Sequence, residues 1–166
     1  MIFWTKIRKS LFIEQNVTVL SLTLLFILIA FFTWYPILPI YLRELGANDL
    51  QVGFSYTLLA LSFTLMQFIG GILSDRFGRK KLIVITNFFF PLIYFLAAKS
   101  NNWFILISLL AMANILNALQ GPSFFSIIAE SVPKTKRGTA FALVELFLVL
   151  GITLGPALGM ILISRV

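Results

Sequence analysis

Few residues in this chain are able to do chemistry, and their types exclude most reactions at once. Histidine and cysteine are absent from all 166 residues. Thiolate and imidazole metal ligands are therefore missing, as is any Ser/His or Cys/His nucleophilic arrangement. No metal site, cofactor or enzymatic activity is expected. Three polar features remain, set in otherwise apolar sequence. Glu145 is the acidic residue well inside an apolar run. Asn114, Asn117 and Gln120 recur at a spacing of three, which puts them along one stripe of a helix. The third feature is the run Gly70-Gly71-Ile72-Leu73-Ser74-Asp75-Arg76-Phe77-Gly78-Arg79-Lys80-Lys81, where small, acidic and basic residues alternate. Such residues bind, orient and repel charge.

The elements that must hold them are membrane spans. Hydrophobic residues make up 60% of the chain and charged residues 11%, with eighteen Phe; soluble domains run near 45–50% and 25%. Charges fall only at intervals. None lies between Glu14 and Arg43, between Asp49 and Asp75, between Lys81 and Lys99, or between Lys99 and Glu130, and Glu145 alone interrupts Arg137 to Arg165. Roughly 17–25 apolar residues suffice to cross the hydrocarbon as a helix, and a helix satisfies its own backbone there. The pattern predicts five transmembrane helices, over Val17–Tyr41, Gln51–Ser74, Leu82–Ala97, Trp103–Ala129 and Thr139–Ser164. They form one all-α transmembrane domain over 1–166, with the lipid bilayer as its main partner.

The net charge of +7 is read through its placement. Lys6, Arg8 and Lys9, then Arg76, Arg79, Lys80 and Lys81, then Lys134, Lys136 and Arg137 fall on one side; Arg43, Lys99 and Arg165 fall on the other. Basic excess marks the cytoplasmic face, so a cell-membrane protein with a cytoplasmic N-terminus is expected. No extended basic face or nucleic-acid motif accompanies the charge, and no nucleic-acid partner is expected. A basic start before an apolar run also fits a secretory signal. The run is too long for that, and no small-x-small cleavage site interrupts it. Trp34, Tyr35 and Tyr41, with Pro36 and Pro39, suit the outer membrane interface.

Physical roles follow from position. Gly70 and Gly71 remove side chains where the second helix approaches a neighbour. Asp75 sits at a helix C-terminus, where the macrodipole disfavours an anion, with Arg76 and Arg79 close by as compensating donors. Gly78 permits a tight turn. Gly151, Gly155 and Gly159 form one smooth stripe for close packing, and Pro156 removes a helical hydrogen bond among them. Glu145 lies roughly 9–12 Å along its helix, where a charge costs about 2.5–3.5 kcal/mol on insertion scales. A proton carrier, a counter-charge to a cationic solute, and a simple pair with a cytoplasmic Lys or Arg all fit it. Amides within a membrane helix need partners or water, and interhelical hydrogen bonding would satisfy this stripe.

The run Gly71-Ile72-Leu73-Ser74-Asp75-Arg76-Phe77-Gly78-Arg79-Lys80 resembles the Gly-x-Leu-x-Asp-Arg-x-Gly-Arg-Lys signature of the major facilitator superfamily, at every fixed position and between the same two helices. Gly151-x-x-x-Gly155-Pro156-x-x-Gly159 is similar to the fifth-helix pattern of that family's antiporters, chiefly drug exporters, with Met160 departing from it. The resemblance implies a cytoplasmic gate in which Gly71, Asp75, Arg76, Gly78, Arg79 and Lys80 join a charge network, tied to Glu130 at the end of the fourth helix and Arg137 at the start of the fifth. It implies a central cavity for which Asn114, Asn117 and Gln120 are candidate solute contacts, with interhelical hydrogen bonding as the equal alternative. Proton-coupled members often carry Arg where Asn117 stands, and that departure weakens the usual proton-coupling device.

A family member has twelve helices in two halves of six, so the fold expected is an incomplete N-terminal half. The function expected is ion-gradient-driven transport of a small solute, with efflux of amphipathic or drug-like compounds favoured. No phosphate-binding loop is present to use ATP. Rocking of one half against another would need a missing C-terminal half or a second chain, and truncation is the favoured explanation. The alternative is a non-transporting remnant or subunit completed by another chain.

Overall fold

A computed structural model describes residues 15–164. Lys6, Arg8, Lys9 and Arg165, used above for orientation, lie outside the described residues. Among the described residues the regular structure is helical, with no strand. Five helical segments are long and apolar enough to cross a membrane: Val17–Glu44, Asp49–Phe77, Arg79–Ala98, Trp103–Glu130 and Lys134–Leu162. They are called the first to fifth spans. Phe26, Leu50, Phe68 and Phe88 are among the many large apolar side chains left exposed. In water that would be an aggregation surface; in a bilayer it is the face that lipid solvates.

The first span is interrupted. An α-helix over Gln15–Trp34 tightens into a 3-10 turn at Tyr35–Ile37 and resumes as Leu38–Glu44. Pro36 and Pro39 each withhold a backbone donor, which explains why the ladder cannot run through uniformly. Phe31 stacks on Tyr35 at 4.7 Å between ring centroids and meets Trp34 edge-on at 5.2 Å, so aromatic packing braces the break.

Local chemistry sets the ends. Gly46 adopts φ +89°. Its N–H bonds the Arg43 carbonyl at 2.9 Å and the Ala47 N–H bonds the Leu42 carbonyl at 3.0 Å, the pairing of a Schellman motif. Asn48 then caps the second span. Its Oδ1 accepts from the Gln51 N–H and Gln51 Oε1 accepts from the Asn48 N–H, both at 2.9 Å, a reciprocal capping box. Arg43 and Asp49 form an exposed ion pair at 2.9 Å across the same turn.

The chain divides into two compact units. One comprises, among the described residues, 15–37 and 128–164, and holds the helix Gln15–Trp34 and the fifth-span helix Arg137–Ile163. These run parallel. Gly151 faces Leu28, Gly155 faces Phe32 and Gly159 faces Thr33. Extended toward the helix starts, the register sets Ser21 level with Val144 and Val17 with Ala140, and all four are buried. The other unit comprises residues 38–127, holding Leu38–Glu44, the second and third spans and most of the fourth. Within it Leu42, Leu59, Ile93, Ile107, Leu110 and Ala118 are buried.

Candidate functional site

In the unit of residues 38–127, the second span stays helical through Asp75 and Arg76 and ends at Phe77. Gly78 takes φ +90°, ψ 133°, and its N–H caps the Ser74 carbonyl at 3.1 Å. A side chain at that φ would be strained. The third span begins at the next residue, Arg79. One left-handed glycine thus reverses the chain and clusters Asp75, Arg76, Arg79, Lys80 and Lys81 within a single turn. Asp75, Arg76 and Lys80 are exposed and Arg79 is half-buried. The Arg76 guanidinium lies 5.9 Å from the Phe77 ring centroid, within cation–π range.

The two glycines before this turn differ. A Cβ on Gly70 would stand 2.6 Å from the Leu119 carbonyl oxygen and 2.9 Å from that of Ala118. A Cβ on Gly71 would meet nothing within 4 Å among the described residues. Gly70, outside the fixed positions of the signature, is therefore the packing glycine. One turn on, Ser123 Oγ donates to Ser74 Oγ at 2.8 Å, with both serines buried. The second and fourth spans run parallel along this seam.

The amide stripe separates into tied and open members. Asn114 Nδ2 donates to the Leu59 carbonyl at 3.2 Å. Gln120 Oε1 lies 3.3 Å from the hydroxyl of Thr86, a buried residue of the third span, and Gln120 Nε2 reaches Asn117 Oδ1 at 3.5 Å. Asn117 is the exposed member. Gln67 of the second span, also exposed, places its Nε2 3.9 Å from where a Gly121 Cβ would be. Thr86, Gln67, Ser74 and Ser123 were not singled out from sequence; a polar side chain recurring within apolar spans was their only signal.

The unit of residues 15–37 and 128–164 holds the remaining candidates. Arg137 opens the fifth-span helix, and its Nε donates to the Ala129 carbonyl at 3.0 Å. Glu130 ends the fourth span and is exposed. Gly155 is held so closely that a Cβ would meet Phe32 Cβ at 2.5 Å, and one on Gly151 would meet Leu28 Cβ at 2.7 Å. At Gly159 the obstruction is the Thr33 carbonyl oxygen. Pro156 lies inside the helix without ending it. Glu145 is exposed, beside the buried Val144. Among the described residues, no group of three or more Asp or Glu is placed to hold a metal.

The family model described as Major Facilitator Superfamily matches residues 20–166. The chain is similar to an uncharacterized MFS-type transporter of Methanocaldococcus jannaschii, 30% identical over 152 residues, covering 90% of this chain and 39% of the relative. It is also similar to the Quinolone resistance protein NorA of Staphylococcus aureus, 27% identical over 124 residues, covering 75% of this chain and 32% of that protein. The chain therefore spans roughly a third of the length of the curated relatives it matches.

Proposed function

Since the chain belongs to the major facilitator superfamily, and is a multi-span membrane protein, we propose that it works in a secondary transporter of the cell membrane that exports small amphipathic or drug-like compounds. The observation that carries this reading is the Gly71–Lys80 signature wrapped around a left-handed Gly78. That turn gathers charge at one membrane face and forms no bond-breaking site. Export, rather than uptake, is supported by the fifth-span glycine pattern and by a relative whose name records quinolone resistance. An ion gradient would supply the energy, and no enzymatic step is involved. The N-terminus and the Asp75–Lys81 turn lie on the cytoplasmic side, by the excess of basic residues there.

In this reading Asp75, Arg76, Arg79 and Lys80 act as the inner gate, with Glu130 and Arg137 as further members of the charge network. Asn117, exposed at membrane depth where a polar group facing lipid is costly, contacts the solute. Asn114 and Gln120 hold the spans that frame it. Glu145 carries the coupling proton or balances a cationic solute.

The test is efflux of ethidium and of a quinolone from cells expressing the natural full-length protein, with and without a protonophore. Energy-dependent loss of either probe supports the reading. Equal retention in expressing and non-expressing cells overturns it. A second reading, a non-transporting subunit completed by another chain, draws on the short share of each relative that is covered. Copurification of a stoichiometric membrane partner with an unextended chain would favour it.

A further inference from the structure

We propose that Ser74 is a positioning residue, which fixes the Asp75–Lys81 turn to the fourth span through a buried hydroxyl bridge to Ser123. Ser74 is engaged twice. Its side chain accepts from Ser123 Oγ at 2.8 Å, and its carbonyl accepts the Gly78 N–H at 3.1 Å. The first bond ties it to another span; the second sets the left-handed reversal that presents the charged residues. Ser74 occupies a variable position of the signature, directly before Asp75.

The bridge is chosen over an easier local bond. A serine or threonine in a helix satisfies its hydroxyl on the carbonyl four residues back. Ser21, Thr23, Ser55, Ser108 and Thr153 each do so here. Ser123 donates across to Ser74 instead, at a site where its own exposure is 0% and that of Ser74 3%. The backbone makes this approach possible. Pro122 has no N–H, so the Ala118 carbonyl loses its helical donor. That carbonyl and the one at Leu119 abut Gly70, where no side chain keeps them off. Residues 70–74 and 118–123 are thus seated backbone to backbone, and the hydroxyl pair closes the end nearest the turn. Movement of the fourth span, which carries Asn117, is delivered to the turn that carries Asp75.

This inference rests on the transport reading for its purpose, and its test separates the two. The 166 residues contain no cysteine, so with any cysteine elsewhere in the full-length protein replaced by serine, spin labels go to chosen exposed sites. Phe77→Cys at the turn and Met112→Cys on the fourth span are 57% and 51% exposed. In the full-length natural protein in proteoliposomes, the label pair reports the turn against the fourth span, whatever the solute. The parent is expected to give one narrow distance distribution. Ser74→Ala and Ser123→Ala should each broaden it, the double variant should broaden it no further, and Ser74→Thr should restore it. Membrane hydrogen bonds of this kind are modest, so ethidium turnover should fall roughly threefold to tenfold in either Ala variant, with KM within about twofold. An unchanged distribution in both Ala variants overturns the inference, as does additive broadening in the double variant. A parent that moves no ethidium counts against transport alone, because the label distances still judge the bridge.

Discussion

Two adjacent glycines before the charged turn have opposite surroundings, and that difference makes the sharpest predictions at the scale of single residues. Gly70→Ala forces a Cβ against main-chain carbonyls of Leu119 and Ala118, atoms that cannot rotate away. Overpacking of this kind costs about 1–3 kcal/mol, so the variant should melt earlier in detergent. Gly71→Ala meets open space and removes a flexible residue from a helix interior, a change worth about 0.5–1 kcal/mol in favour of the helix. Its melting temperature should hold or rise. If Gly71 nonetheless proves essential for efflux, its requirement lies in movement of the charged turn, as the proposed gate role demands, rather than in the packing described above. Equal melting temperatures for both variants would show that the Gly70 contact is not tight in the membrane. Glu145 supports a second prediction at this scale. A proton carrier needs an exchangeable carboxyl, which Glu145→Gln removes; if Glu145 has that role, the variant should transport with no dependence on external pH. If pH-dependent efflux survives the substitution, the carrier role is wrong, and balancing a cationic solute becomes the better account.

At the scale of elements, the spans were legible because charge punctuates them. Arg43, Asp49, Asp75, Lys81, Lys99, Glu130 and Arg137 all stand at or near span ends. Details set by short-range chemistry were legible but went unread. Asn48-x-x-Gln51 is a capping box in plain sequence, and it starts the second span at Asp49 rather than at Gln51. The prolines at 36 and 39 were placed at the interface without the consequence that the helix must tighten at Tyr35–Ile37. Contacts between spans were not legible. Nothing local tells Ser123 to prefer Ser74 over its own preceding turn, or couples Thr86 to Gln120, because the partner lies tens of residues away and the pattern of apolar residues is the same on every side. The stripe of amides was read as either solute-facing or interhelical, and it divides: Asn114 and Gln120 bond to other spans while Asn117 is exposed. Asn114→Leu should therefore cost about 0.6–1.7 kcal/mol, the range for interhelical hydrogen bonds in membranes, seen as lower resistance to denaturing detergent. Asn117→Leu should leave stability unchanged and alter KM for the exported probe. The reverse assignment of these two phenotypes would mean that the two amides had been given each other's roles.

For the whole molecule, the glycine stripe and the charged turn impose a requirement that can be tested directly. Gly151, Gly155 and Gly159 are consumed by the contact with Leu28, Phe32 and Thr33 in one compact unit, so this stripe is already partnered within the 166 residues. The helices Gln15–Trp34 and Arg137–Ile163 should therefore stay paired without further chain. Alternating access is a different matter, because it needs a second body for a first to rock against. These 166 residues expressed alone are expected to insert and to protect their spans from protease. Cross-linking of Leu28→Cys to Gly151→Cys is an unsuitable check, since it disturbs the seam itself. Proteolysis followed by mass measurement reads the spans without touching them. The same preparation should move no ethidium, and movement is expected only where further chain or a partner supplies the second body. Protection without transport would assign the paired helices and the Ser74–Ser123 seam to folding of this segment, and the solute cycle to the larger assembly. Transport by the 166 residues alone would require copies of this chain to supply the second body, and the mass of the cross-linked species would then count them.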